Sequence, residues 1–202
     1  MQSRLATRSR QSLRLKGYDY AQVGAYFITI VTEHRTCLFG NIIDNKMYLN
    51  SAGQVVQSVW TQIPEHFSGI DLDTFVVMPN HVHGIILITN KVRDSVGAQH
   101  AAPSEPNVQA GSIGAIIRSF KSAVTKQCNK ESIRRVLRIW QRNYYERIIR
   151  DEDALMRIRD YIATNPARWS SDPENSDALQ PESNDVWRRA QHAAPLHGIL
   201  KT

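Results

Sequence analysis

Cysteine is scarce in this sequence of 202 residues: only Cys37 and Cys128 are present, and they lie far apart along the chain. Such a pair makes neither the disulfide framework that stabilises small secreted domains nor the cluster of thiolates that holds a structural zinc ion. The scarcity of cysteine therefore predicts a protein of a reducing compartment, and we expect a cytoplasmic location.

Long apolar runs are also absent. No stretch is long enough to cross a bilayer, so we expect no membrane partner. The first residues, MQSRLATRSRQSLRLKG, are rich in Arg and Ser and lack the apolar core of a secretory signal peptide, which leaves an organellar transit peptide as the alternative. The apolar fraction of 42% and the charged fraction of 22% are typical of a single globular domain.

Acidic residues are missing from the start of the chain, where the first is Asp19. The net charge is +6, and the basic residues are grouped in two blocks. The blocks comprise Arg4, Arg8, Arg10, Arg14 and Lys16 before Asp19, and Lys130, Arg134, Arg135, Arg138, Arg142, Arg147 and Arg150 in the second half. Such grouping favours a polyanionic partner, either nucleic acid or an anionic membrane surface, although the charge alone also fits a generic basic protein.

Composition divides the chain into a basic arm (1–16), a folded domain (17–169) and a polar tail (170–202). Inside the domain, residues 90–111 carry Gly and Pro without helical or strand periodicity, which predicts a long loop. Residues 170–186, SSDPENSDALQPESNDV, are acidic and rich in Ser and Pro, which predicts a solvated loop or linker.

The hexapeptide AQHAAP occurs twice, at 98–103 and at 190–195, both times in polar surroundings. We interpret it as a repeated linker segment, because its spacing is far too long for a solenoid repeat. The sequence gives no indication of its role.

Hydrophobic periodicity predicts the order β-α-β-β-α-β-α. The predicted elements are a strand at 24–33, a helix at 49–67 with Ser51 as N-cap, strands at 70–79 and 81–89, a helix at 112–128, a strand-like segment at 138–149 and a helix at 151–165. Strands joined by short corners and separated by helices are typical of an α+β protein in which helices pack against an antiparallel sheet.

Two histidines lie one residue apart in the apolar segment HVHGIILI, which follows a Pro-Asn corner. Side chains alternate along a strand, so His81 and His83 share one face while Val82 points to the other. Burying two imidazoles without partners is costly, which favours a metal pair over two packed rings. Two histidines do not complete the coordination of a metal ion, so a third residue or oxygens of the substrate must supply the remaining ligands. Ile85 occupies the next position on this face, which argues against a histidine-triad hydrolase.

The last predicted helix adds a polar pair. Tyr161 and Asn165 are four residues apart and can share one helix face, although Pro166 predicts that the helix ends at Asn165. The Asn amide oxygen is a candidate metal ligand, and the Tyr hydroxyl is a candidate nucleophile that could attack a phosphodiester polarised by the metal. The alternative is that Tyr161 only flanks the apolar stripe of this helix.

Three segments, GAYFITIVTEHRTCLFG, VVMPNHVHGIILI and IWQRNYYERIIRDEDALMRIRDYIATNPARW, together resemble the single-tyrosine transposases of the HUH superfamily. The chain most closely resembles the REP-associated tyrosine transposases, over roughly residues 17–169. The resemblance implies a ferredoxin-like α+β fold whose C-terminal helix carries the nucleophile. It also implies cleavage of single-stranded DNA through a 5′-phosphotyrosine link, dependent on Mg²⁺ or Mn²⁺, with palindromic repeats folded as hairpins as substrates.

The resemblance assigns His81, His83 and Asn165 as metal ligands and Tyr161 as the nucleophile. Arg147 stands where the family segment often has His, so it is given no catalytic role. Two rival nucleophiles, Tyr144 and Tyr145, lack an Asn four residues later. The residues expected to bind DNA are Arg4, Arg8, Arg10, Arg14, Lys16, Arg134, Arg135 and Arg138.

Three functions follow from this sequence. The chain is expected to be a DNA-cleaving and strand-transferring enzyme, acting as a monomer or a dimer. One alternative is a domesticated protein that binds repeat hairpins without catalysis. The other is a metal-dependent phosphoesterase of small substrates, which the basic blocks disfavour.

Overall fold

The structure, a computed structural model, describes residues 19–89, 111–130 and 138–175. The basic arm, Arg134, Arg135, nearly all of the predicted loop at 90–111 and both copies of AQHAAP therefore lie outside the described residues.

Ten helices and strands make up the described part of the chain. They are β1 (Gly24–Val31), β2 (Gly40–Ile43), β3 (Lys46–Leu49), α1 (Ser51–Thr61), α2 (Ile63–His66), β4 (Ile70–Val77), β5 (His81–Ile88), α3 (Ile113–Lys130), β6 (Tyr145–Ile149) and α4 (Glu152–Thr164). Short 3₁₀ helices follow β1 at Glu33–Arg35 and α4 at Pro166–Ser171.

Four strands form one antiparallel sheet in the order β4-β5-β1-β6. The strands β5 and β1 are central. The four strands follow one another along the chain in the predicted order, with α1 and α2 between β1 and β4 and α3 between β5 and β6. The predicted ferredoxin-like α+β fold is confirmed.

The two faces of the sheet are covered by different helices. Helices α1 and α3 bury their apolar stripes, including Val56, Trp60 and Phe120, on one face. Helix α4 covers the other face, where Ile162 packs in a smaller cluster with Phe27, Ile85 and Ile149. Because alternate residues of a strand point to opposite faces, β5 presents Val82 to the first cluster and Ile85 to the second, and His81 shares the face of Ile85.

Three local predictions are corrected. Asn50, not Ser51, is the N-cap of α1: its backbone is extended and its Oδ1 accepts from Gly53 N at 3.0 Å. The hairpin β2–β3 was not predicted, because its two-residue turn consists of Asp44 and Asn45, both with positive φ, instead of a pair that contains Gly. The last strand is shorter than 138–149, and Trp140 forms only an isolated bridge with Thr32.

Gly84 lets the largest core side chain lie directly on β5. A Cβ placed on Gly84 would approach Trp60 Cζ2 to 2.4 Å and Phe75 Cβ to 3.1 Å. The Trp60 ring is fully buried, stacked against Phe75 and edge-on to Phe120, so these neighbours restrict its movement away from a new Cβ. The residue after the two histidines therefore serves packing on the opposite face of the sheet.

Gly84→Ala should lower the free energy of unfolding by about 1–3 kcal/mol, because an overpacked core forces side chains from their preferred rotamers. Urea unfolding followed by circular dichroism measures the change. The same substitution in a Trp60→Leu background, which removes the ring atoms that clash, should cost less. Equal costs in both backgrounds would show that contact with Trp60 is not the reason for glycine at this position.

Candidate active site

Two imidazoles lie side by side on the face of β5 that α4 covers. His81 and His83 are 0% and 3% exposed, and their ring centroids are 4.4 Å apart. Phe27 on the neighbouring strand β1 stacks on His83 with centroids 5.4 Å apart, and Trp169 lies near His81. The alternation of side chains in β5 thus brings the two histidines together, as predicted from their spacing.

The residue before His81 fixes the orientation of that ring. Asn80 Nδ2 donates to the backbone oxygens of Arg35 and Glu174 at 3.0 and 2.7 Å, so Asn80 Oδ1 is left to face His81 Nδ1 at 2.8 Å. An amide oxygen can only accept, and His81 Nδ1 therefore carries the proton. The lone pair of His81 Nε2 is free for a ligand, as in metal sites where a second residue orients the histidine.

His83 is held from both sides of its ring. Its Nδ1 is 2.9 Å from Thr29 Oγ1, and its Nε2 is 3.1 Å from the hydroxyl oxygen of Tyr161. Burial lowers the pKa of His83 well below its usual value, and the neighbouring His81 lowers it further. Burial likewise lowers the pKa of His81. Both rings are therefore neutral near pH 7, which is the form that binds a metal ion.

Helix α4 presents Tyr161 to His83. The helix begins where Asp151 Oδ1 accepts from Ala154 N at 2.6 Å, and two acidic residues in its first turn suit the positive end of the helix dipole. Arg159, two residues before Tyr161, makes a two-bond ion pair with Asp73 of β4, with distances of 3.0 and 2.6 Å. The hydrogen bond from Arg159 lowers the pKa of Asp73 to about 2. This pair ties the helix to the far edge of the sheet.

The environment of Tyr161 keeps its hydroxyl protonated. Burial raises the pKa of the Tyr161 phenol well above its usual value, and the carboxylates of Asp172 and Glu174 raise it further. A positive charge placed between Tyr161 and Asp172 would oppose this rise.

Asn165 is the last member of the predicted set. Helix α4 ends at Thr164, Asn165 is its C-cap, and the Asn165 side chain is fully buried close to His81 and Tyr161. Asn165 Nδ2 donates to Asp172 Oδ2 at 2.8 Å, so Asn165 Oδ1 remains available as an acceptor.

Asp172 was missed by the sequence analysis. The prediction that residues 170–186 form a solvated segment is wrong for Asp172, which is 4% exposed. The 3₁₀ helix after α4 turns the chain back, and Asp172 Oδ1 accepts from Glu174 N at 2.7 Å. An acidic residue a short distance after Asn165 was the available signal, but its Ser- and Pro-rich surroundings are typical of exposed loops.

These residues fit a cation. Ligand atoms of His81, His83 and Asp172 all lie within 4.8 Å of one another. Among the described residues, His81 Nε2 and Asn165 Oδ1 are buried without a hydrogen-bond partner. Leaving buried acceptors unpaired is costly, and a divalent cation bound by nitrogen and oxygen would satisfy both.

The rival tyrosines, Tyr144 and Tyr145, make other contacts. The Tyr144 hydroxyl donates to Glu146 Oε2 at 3.0 Å. The Tyr145 ring lies edge-on to Phe27, with centroids 6.3 Å apart, and burial raises the pKa of Tyr145. Tyr161 is therefore the tyrosine that contacts His83.

The predicted DNA-binding residues are described only in part. Arg138 has a 61% exposed side chain, lies 3.6 Å from Glu33 and lines a shallow cleft with Lys121 and Lys126. The residues Arg4, Arg8, Arg10, Arg14, Lys16, Arg134 and Arg135 lie outside the described residues. Within residues 19–89, 111–130 and 138–175, no helix is long and apolar enough to cross a membrane.

Comparison with known proteins gives relatives over most of the chain. No protein-family profile matches it. A Haemophilus influenzae protein without an assigned function is 43% identical over 166 residues, or 81% of this chain and 91% of that protein. A second H. influenzae protein, named as a candidate REP-associated tyrosine transposase, is 26% identical over 155 residues, which is 74% of each chain.

A solved structure of a REP-associated tyrosine transposase bound to a REP hairpin has a TM-score of 0.51 with this fold. The likeness covers 77% of this chain and 78% of that one at 20% identity, so it shows a shared fold.

Proposed function

We propose that the chain is a REP-associated tyrosine transposase, as its similarity to a relative of that name supports, and that it cleaves single-stranded DNA at repeat hairpins with Tyr161 as the nucleophile. The observation that carries this proposal is the 3.1 Å contact between the Tyr161 hydroxyl and His83 Nε2. This contact lies at the group of candidate metal ligands formed by His81, His83 and Asp172. A nucleophile next to a cation site is the arrangement that phosphoryl transfer requires.

The reaction exchanges one phosphate ester for another. Tyr161 Oη releases its proton to solvent and forms a bond to phosphorus, the bond from phosphorus to the 3′ oxygen breaks, and the departing oxygen takes up a proton from solvent. The 5′ phosphate of the downstream strand is then linked to the protein, and a free 3′ hydroxyl remains upstream. Attack by that hydroxyl on the phosphotyrosine would reverse the step, which is the basis of strand transfer.

Four side chains would hold the metal ion: His81, His83, Asp172 and Asn165. A divalent cation there, for which we propose Mg²⁺ or Mn²⁺, would polarise the scissile phosphate and offset the negative charge that raises the Tyr161 pKa. The protein contributes orientation: Asn80 and Thr29 fix the two imidazoles, and α4 places the phenol beside them.

A covalent adduct tests this function. The full chain is incubated with Mn²⁺ or Mg²⁺ and a repeat hairpin that carries single-stranded flanks, labelled at either end, and the products are separated on a denaturing gel. We expect the 3′ label to migrate with the protein and the 5′ label to appear in a shorter free strand. Tight binding with neither adduct nor cleavage would instead identify a domesticated hairpin-binding protein.

The basic arm is proposed to bind the DNA backbone outside this site. Deleting residues 1–16, which carry five basic and no acidic side chains, should weaken hairpin affinity. It should also reduce the slope of log affinity against log salt concentration by about two to four units. Each phosphate contact releases counterions when it forms, so binding with fewer contacts depends less on salt. A salt series measures both, and changing the five basic residues to Gln at full length separates charge from chain length. Parallel lines with equal affinity would show that the arm does not touch DNA.

A further inference from the structure

A groove runs between β6 and α4 and opens beside Tyr161. Its volume is about 430 Å³, within the range of pockets that hold small ligands. Tyr145 and Arg147 of β6 form one wall, and Arg157, Ile158 and Tyr161 of α4 form part of the other. Asn165 and Asp172 of the proposed metal site also line the groove. We call this the β6–α4 groove.

Three arginines from three different elements line the β6–α4 groove. Arg147 comes from β6, Arg157 from α4 and Arg168 from the 3₁₀ helix after α4. All three are exposed, and the ion pair of Arg168 with Asp160 is long, at 4.0 Å between two exposed side chains. Arg157 is one helical turn before Tyr161, on the same side of α4. The three arginines therefore line the same groove as the Tyr161 ring.

The inner surface of the groove is apolar and aromatic. Phe27, Ala154 and Ile158 contribute apolar surface, and the half-buried ring of Tyr145 lies edge-on to Phe27. A charged rim over an aromatic wall is the combination that binds single-stranded nucleic acid, because arginines contact phosphates and aromatic rings stack on bases.

We propose that the β6–α4 groove binds the single-stranded nucleotides that adjoin the scissile phosphate. Arg147, Arg157 and Arg168 contact the phosphates, and Tyr145 stacks on a base. This inference rests on the proposed function and adds a set of DNA contacts, of which only Arg147 belongs to one of the two basic blocks. It also assigns a binding role to Arg147 and Tyr145. Arg147 was given no catalytic role, and Tyr145 was the rival nucleophile.

Two hairpin probes test the groove: a repeat hairpin with single-stranded flanks, and the same hairpin without flanks. Each of Arg147→Gln, Arg157→Gln and Arg168→Gln should weaken binding of the flanked probe roughly tenfold, the equivalent of one charge-assisted contact. Each should also reduce its log–log salt slope by about 0.7, the value for a single strand. Binding of the unflanked hairpin should stay as in the unaltered chain. Arg118→Gln, on the exposed side of α3 across the sheet, should change neither probe.

Stacking has its own readout. A flank that carries 2-aminopurine next to the cleavage position should lose fluorescence on binding, because stacking quenches the base. Tyr145→Leu should restore most of the fluorescence, and Tyr145→Phe, which keeps the ring, should not. Fluorescence that remains quenched in Tyr145→Leu would remove Tyr145 from base recognition.

The outcomes separate this inference from the proposed function. Arginine variants that bind both probes like the unaltered chain, or that lose the same affinity for both, would overturn the groove assignment even if the adduct forms. Flank-specific losses without an adduct in the unaltered chain would support the groove and overturn cleavage.

Discussion

Tyr161→Phe should abolish the covalent adduct while hairpin binding stays close to that of the unaltered chain. The substitution removes one hydroxyl and keeps the ring that packs edge-on to Phe27. Among the described tyrosines, Tyr161 is the one whose hydroxyl lies within hydrogen-bond distance of His83, so we expect adduct formation to fall by more than about a thousandfold. The lost hydrogen bond to His83 should cost only about 1 kcal/mol of stability.

The adduct gel and a parallel binding measurement check this result. Tyr144→Phe is the matched control, because the Tyr144 hydroxyl bonds to Glu146 instead of a histidine. It should form the adduct at the normal rate. An adduct that persists in Tyr161→Phe and disappears in Tyr145→Phe would identify Tyr145 as the nucleophile.

Removal of the metal ion should have an effect of similar size. Chelation by EDTA should stop adduct formation, and added Mn²⁺ or Mg²⁺ should restore it. His81→Ala and His83→Ala should behave like chelation, because each removes one of the nitrogen ligands proposed for this site. Asp172→Asn, which keeps the shape and removes the charge, should weaken Mn²⁺ affinity roughly tenfold or more.

Calorimetric titration with Mn²⁺ measures the site without relying on activity. His66→Ala is the control, since His66 is an exposed histidine at the end of α2 and should leave Mn²⁺ binding unchanged. Full activity of His81→Ala or His83→Ala in the presence of EDTA would remove the metal ion from the mechanism.

The parts of the site that follow from periodicity could be predicted from the sequence. Alternation in a strand places His81 and His83 on one face, and the helical repeat places Tyr161 and Asn165 on another. Helix α4 follows the edge strand β6 and packs on the sheet face that carries the histidines. This packing places Tyr161 and Asn165 next to His81 and His83. These predictions depend on the regular geometry of single elements.

Asp172 and Asn80 could not be predicted in the same way. Their positions depend on irregular backbone: the 3₁₀ turn after α4 returns Asp172 to the histidines, and the β4–β5 corner aims Asn80 at His81. Neither path follows a repeat, and each residue is of a type common in exposed loops. The assignment of ligand atoms therefore needed the structure.

Strand β5 serves two unrelated purposes on its two faces, and this has an evolutionary consequence. Val82 and Gly84 face the core beneath Trp60, while His81 and His83 face the proposed site. A lineage that kept the fold but gave up cleavage would be released from selection at the two histidines and would remain constrained at the residues between and after them. The pattern of substitutions along this one strand would therefore distinguish active copies from domesticated ones across genomes.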